Sequence, residues 1–193
     1  HRSIFFEKLS AYKRVESAGT LLYNLADGLK VNWLDDSKTN FQRKSKFTIC
    51  FESTVHEGFI TEKITDAFYA DTIPIYYGSS SITEIFNKDA FINVADYDSF
   101  DAVVEKVKEL DQDNEKYLAM LRQPILVDPD FPRRLDEELE KYILHIFEQP
   151  LEKAYRRCRA YYPQWQNDHL ASVMKPTLGK RLKQTMQKVL KKE

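Results

Sequence analysis

Two short stretches concentrate the polar chemistry of this chain. Phe51-Glu52-Ser53 is followed, after a few residues, by Phe59-Ile60-Thr61-Glu62-Lys63. An ionised carboxylate only accepts hydrogen bonds, so Glu62 suits the hydroxyls of a sugar or ribose. An ammonium is a compact positive point, so Lys63 suits a phosphate oxygen. The surrounding pattern sets these groups at a junction. Lys46-Phe47-Thr48-Ile49-Cys50-Phe51 reads as an apolar strand covered on both faces. A loop follows through Glu57-Gly58, and Ile60, Ile64, Ala67 and Phe68 mark the inner face of a helix ending near Ala70. In open parallel sheets ligands bind at the carboxyl ends of strands, and the free N–H groups of a helix start favour an anion. Lys63 in that first turn opposes the helix dipole, a conflict that a bound pyrophosphate would relieve. From spacing alone a solvated Glu62-Lys63 pair is the commoner case.

The elements that must position this junction alternate along the chain. A helix over Arg2 to Tyr12, with Phe5, Phe6, Leu9 and Tyr12 at helical spacing, leads to a short strand through Lys13-Arg14-Val15 and a turn near Gly19. Thr72 to Tyr77 forms the next strand, with Pro74 near its start and Gly78 at its end. Ser81 and Glu84 predict a capping box and a short helix. Ala90 to Val94 is a third strand, and Phe100, Val103, Val107 and Leu110 line an amphipathic helix. This order predicts an α/β fold, a doubly wound parallel sheet. Helices alone follow: Tyr117 to Leu121, Leu135 to Phe147 and Leu151 to Tyr161. From Lys175 onward Leu178, Leu182, Met186 and Val189 share a face among lysines and arginines, a basic amphipathic tail suited to an anionic membrane surface or to solvent.

With 193 residues the chain suits one full domain plus a tail, and its opening at His1 without a leader suggests a piece of something longer. Ordinary apolar content and a net charge of −1 exclude a disordered chain and give no overall attraction to nucleic acid. No apolar run approaches the ~18 residues of a membrane span. Cys50 and Cys158 make no disulfide framework, which fits a reducing, cytoplasmic setting. The four histidines are scattered, without metal-ligand spacing. Three Asp-x-Asp triplets, at Asp96, Asp111 and Asp128, fall at helix caps or acidic turns where aspartate is favoured without a metal. Gly78 with Ser79-Ser80-Ser81 resembles a phosphate-cradling turn but lacks a Walker lysine.

Taken together, Lys46-Phe47 through Phe51-Glu52-Ser53, Phe59-Ile60-Thr61-Glu62-Lys63 and Thr72 to Ser79 resemble the donor-binding signature of the bacterial α-1,3-fucosyltransferases, glycosyltransferase family ten. Arg2 to Phe6, Leu9 to Ser17 and Ala90 to Val94 are similar to flanking segments of that family, so the resemblance covers roughly residues 2–126. It implies a Rossmann-like half of a two-domain GT-B enzyme, with residues 1–126 binding GDP-fucose, residues 127–174 forming a helical extension packed on that domain, and residues 175–193 the basic tail. It further implies inverting transfer of L-fucose to a GlcNAc hydroxyl of a glycan acceptor, without metal. Arg2 and Lys63 match cations that meet the donor phosphates, and Glu62 matches a glutamate that hydrogen-bonds the donor. Glu52 holds the place of the strand-end glutamate. Ser53 stands where the family usually has asparagine and Phe59 where it often has tyrosine, and both changes shorten polar reach. The family's catalytic base lies in its N-terminal domain, so no catalytic residue is assigned in this chain. A glycosyltransferase for another nucleotide sugar, a non-catalytic GDP-binding module, and an adaptor built on the basic tail are the alternatives.

Overall fold

The computed structural model describes residues 1–150 other than Leu21, Trp33 and Leu34, the backbone alone of Asp27, and His169. The chain divides into two compact units, His1–Asp136 and Glu137–Glu193. In the first unit α1 (Arg2–Tyr12) and α2 (Ser37–Gln42) precede β1 (Phe47–Phe51), α3 (Glu62–Tyr69) and β2 (Ile73–Tyr77). The short α4 (Ile82–Ile85), β3 (Ile92–Asn93), α5 (Phe100–Gln112) and α6 (Asn114–Leu121) follow, and α7 runs from Phe131 to Glu148. The helix predicted over Leu151 to Tyr161 and the basic tail lie outside the described residues.

The three strands form one parallel sheet in the order β1-β2-β3. Alternation along the strands sends side chains to two faces. Phe51, Ile73, Ile75, Ile92 and Val94 join Phe5 and Leu9 of α1 and Val103, Val107 and Leu110 of α5 in one core. Cys50 and Tyr76 point the other way, into a second core with Ile64 and Ala67 of α3, Ile82 and Phe86. Helices thus cover both faces, the doubly wound arrangement that the strand and helix alternation predicts.

Pro74 lies in the middle strand, where a missing N–H is usually costly. Ile73 N–H donates to Lys46 O at 2.9 Å, so Ile73 and its alternates face β1 and Pro74 faces the β3 side. Pairing with β3 begins only at Ile75↔Ile92 and Tyr76↔Asn93, beyond the proline.

Four local expectations change. Lys13 to Val15 forms no strand among the described residues; the side chain and backbone of Asn24 hold Val15 O, Ser17 N and Ser17 O instead. Among the described residues β1 is therefore an edge strand, and Phe47, Thr48 and Ile49 are half-buried rather than covered on both faces. The helix after Ser81 exists, but the capping box does not form, because Ser81 Oγ is engaged by Ser79 Oγ at 2.8 Å. The third strand is reduced to Ile92–Asn93 by 3-10 turns on either side, each begun by an asparagine, Asn87 or Asn93, that accepts from the N–H two residues ahead.

Candidate functional site

At its carboxyl end β1 leaves the sheet with Glu52 N–H still bonded to Tyr77 O at 2.8 Å. This last rung points the Glu52 side chain toward α3 rather than into solvent. The side chain is fully buried, and both oxygens are occupied. Oε1 accepts from Thr61 N–H at 2.8 Å and Thr61 Oγ1 at 3.0 Å, while Oε2 lies 2.8 Å from Thr61 Oγ1 and accepts from Lys63 Nζ at 2.9 Å. Lys63 Nζ also donates to Thr61 Oγ1 at 2.7 Å. Burial pushes the Glu52 carboxyl up, but the bonds from Lys63 and Thr61 outweigh it and hold it below the usual glutamate value.

Thr61 begins α3 in extended conformation, as an N-cap residue does, yet its hydroxyl caps no helix N–H. It is turned back onto Glu52 and Lys63. The first N–H groups of α3 therefore lack a side-chain cap, in the setting that suits an anion. Glu62 lies on the outer side of the same turn, 63% exposed, with Oε1 at 3.8 Å from Lys63 Nζ.

On the other flank of β1, Arg2 in the first turn of α1 donates from Nη2 to Phe51 O at 2.7 Å. Phe51 packs on Phe5 with ring centroids 5.0 Å apart, which fixes α1 against the strand end and brings Arg2 to it. The consecutive residues Phe51 and Glu52 thus anchor one cation each. A cavity of about 550 Å³ opens here, lined by Arg2, Glu52, Ser53, Val55, His1 and Tyr77 among others. A larger one, about 900 Å³, runs along the outer edge of β1 beside Lys13 to Gly19 and shares Arg2, but neither Glu52 nor Lys63 borders it. It lies along the edge of β1 that pairs with no strand among the described residues, whereas the smaller cavity sits at the sheet's carboxyl edge, where ligands of such sheets bind.

The loop between the two halves of the junction is tied down from the β2 side. Gly58 N–H donates to Ser79 Oγ at 2.9 Å, and Ser80 Oγ donates to Glu57. Gly58 adopts φ of 73°, open to glycine at little cost. The serines after Gly78 thus hold the loop rather than forming a cradle of their own.

Of the residues singled out in the sequence, Arg2, Glu52 and Ser53 border the smaller cavity, and Lys63 reaches the site through Glu52. Glu62 and Phe59 are exposed at the start of α3 and the end of the loop and do not line it. His1 and Tyr77, with rings 5.3 Å apart, and Thr61, which links Glu52 to Lys63, were not singled out. Thr61 was legible as an N-cap threonine; nothing in the sequence shows that its hydroxyl turns away from the helix. The aspartate triplets are held within the chain: Asp96 by Asn93, Asp111 by Lys13 and Tyr12, Asp113 by the first turn of α6, and Asp128 by Arg134. Cys50 donates to Lys63 O at 3.2 Å, and burial pushes its thiol far up, out of the reactive range.

Comparison with known proteins gives this edge its context. Residues 1–122 match the family model for the C-terminal part of glycosyltransferase family 10, the fucosyltransferases. An α-(1,3)-fucosyltransferase of Helicobacter pylori is 35% identical over 152 residues, 78% of this chain and 30% of that protein. A human 4-galactosyl-N-acetylglucosaminide 3-α-L-fucosyltransferase is 37% identical over 76 residues, 38% of this chain and 21% of that protein. A crystal structure of an α1,3-fucosyltransferase with GDP-fucose superposes with a TM-score of 0.60 at 36% identity, over 67% of this chain and 36% of that one. The chain therefore spans about a third or less of the length of these relatives. With a family match over well over half its length, in the region that builds this strand end, the chain belongs to glycosyltransferase family 10, the fucosyltransferases.

Proposed function

We propose that this chain forms the GDP-fucose site of an α-1,3-fucosyltransferase that transfers L-fucose, with inversion, to a GlcNAc hydroxyl of a glycan. The observation that carries this reading is the pair of cations fixed at the carboxyl end of β1, Arg2 through Phe51 O and Lys63 through Glu52. In the transfer the acceptor oxygen bonds to the fucose anomeric carbon as that carbon's bond to the β-phosphate oxygen breaks. The electron pair leaves on GDP, and the acceptor proton passes to a base. Charge growing on the leaving pyrophosphate is what fixed cations stabilise. Arg2 and Lys63 take that role, Glu62 and Ser53 offer acceptors to ribose or fucose hydroxyls, and Phe59 offers its ring for packing. The base comes from the part of such enzymes that this chain does not span.

Titration calorimetry of the chain in chelator tests the donor assignment. GDP is expected to bind without metal and more tightly than UDP or ADP. Equal affinity for UDP would assign the site to another nucleotide sugar.

A further inference from the structure

We infer that Glu52 serves the donor site without touching the donor, as a positioning residue that fixes where the Lys63 ammonium and the Thr61 corner stand. The inference rests on the donor-site reading above. Both oxygens of the Glu52 carboxylate are engaged: Oε1 accepts from Thr61 N–H, Oε2 from Lys63 Nζ, and the single Thr61 hydroxyl proton lies within reach of either. With a fully buried side chain, Glu52 opens to solvent only through its main chain. A sugar hydroxyl would have to displace one of these donors to reach it.

The carboxylate also has no room to swing. Gly78 backs it closely: a Cβ at that position would stand 2.7 Å from Glu52 Cγ and would also strike the Tyr76 hydroxyl. The absence of a side chain at Gly78 is what lets Glu52 lie flat between β2 and α3. Tyr76 is buried, and its hydroxyl accepts from Ser79 N–H at 3.1 Å, so this backing is itself fixed.

Lys63 is the beneficiary. A lysine alone is a point charge on a flexible stem, and ordering it costs part of any binding energy it brings. Here two of its three N–H groups are spent on Glu52 and Thr61, and its side chain stays 28% exposed. Glu62 at 3.8 Å lies beyond hydrogen-bond reach. One N–H is left for a phosphate oxygen, with the ammonium already in place. Phe51 O does the corresponding service for Arg2.

Glu52→Asp separates position from charge, because it keeps the carboxylate and withdraws it by one methylene. GDP and guanosine are titrated by calorimetry into the 193-residue chain as wild type, Glu52→Asp, Lys63→Met and the double variant, with thermal melts of each. Glu52→Asp is expected to weaken GDP about tenfold, the scale of one charge-assisted hydrogen bond. It should leave guanosine within about twofold and have no effect on GDP once Lys63 is Met, the signature of action through a shared partner. An equal loss in the Lys63→Met background, or a parallel loss of guanosine, would make Glu52 a direct ligand and overturn the inference. Should Glu52→Asp fail to fold, Glu52→Gln, of the same shape, enters the same cycle with the same requirement in the Lys63→Met background. A second readout needs no nucleotide. Acylation of the Lys63 amine, followed by mass spectrometry, should quicken severalfold in either variant and stay unchanged at Lys8. Unaltered Lys63 labelling would overturn the positioning role even if GDP does not bind, whereas quickened labelling without GDP binding would sink the donor-site reading alone.

Discussion

The two ends of β1 carry the same chemistry and do different things with it. At the amino end the Asp111 carboxylate, 11% exposed, accepts from Lys13 Nζ at 2.9 Å and from Tyr12 OH at 3.0 Å, and Lys46 stands 3.4 Å away. At the carboxyl end Glu52 accepts from Lys63 and Thr61. Both are nearly or fully enclosed carboxylates paired with lysine. At the amino end, however, Lys46 is used up. It donates to Asp111 O at 2.9 Å and Asn114 Oδ1 at 3.2 Å, faces the Asp111 carboxylate, and lies over the Tyr117 ring at 5.0 Å. That cluster ties the end of α1, the start of β1 and the junction of α5 with α6. Lys63 keeps one N–H beyond those given to Glu52 and Thr61, at the edge toward which parallel strands present their ligand sites. A buried ion pair therefore says little about function by itself. A spare donor and a place on the sheet's carboxyl edge separate the site from the clasp.

The largest effect expected from this contrast is on binding. Lys63→Ala should weaken GDP by about 1.5–3 kcal/mol, the scale of hydrogen bonds to charged groups, with guanosine much less affected. Lys46→Ala should leave GDP affinity unchanged. If calorimetry gave the two alanines equal losses of GDP affinity, the two ends would not differ as described.

Stability should show the reverse order at the next scale. Asp111→Ala removes the acceptor shared by α1 and β1, and urea unfolding should report a loss of about 1–2 kcal/mol, reduced by the exposure of its lysine partners. GDP binding by the folded variant should match wild type. A loss of GDP affinity there would mean that the amino-end clasp reaches the site.

The smallest expected effect lies in the acid limb of stability, where both carboxylates act. The hydrogen bond from Lys13 first, and those from Tyr12 and Lys46, hold Asp111 below its usual 3.8 against the opposing effect of burial. Glu52 lies below its usual 4.5. A carboxyl depressed in the folded chain stabilises it fully above the unfolded value and loses that contribution as pH falls through the folded one. Unfolding free energy should therefore be insensitive to these groups near neutral pH and fall below about pH 4.5 as the unfolded chain takes up protons first. Asp111→Ala should flatten part of that fall. An unchanged acid limb in the variant would remove Asp111 as a contributor.

Much of the fold was legible because it rests on short-range patterns. The helical spacing of Phe5, Leu9 and Tyr12, the apolar runs at β1 and β2, and the face of Val103, Val107 and Leu110 each fix an element. The failures came where distant partners decide. The chain at Lys13 to Val15 reads as a strand, but Asn24 takes Val15 O and, among the described residues, β1 stays an edge. Ser81 and Glu84 have capping-box spacing, but Ser79 is nearer to the serine hydroxyl.

The site divides in the same way. Its ordered motifs, from Phe51-Glu52-Ser53 to Thr61-Glu62-Lys63, were enough by themselves to indicate the family and the strand-loop-helix junction, because both depend on residue type and spacing along the chain. Which charges meet was decided only by tertiary structure. Glu62 adjoins Lys63 in sequence, yet at 3.8 Å on the helix surface it makes the weaker partner. Glu52, eleven residues back, is carried by the last rung of β1 and the bare backbone of Gly78 to 2.9 Å from the ammonium. Helix geometry spreads neighbours apart on the surface, while a strand end packed on a helix start brings distant groups together in a buried place, where a hydrogen bond is stronger than in water.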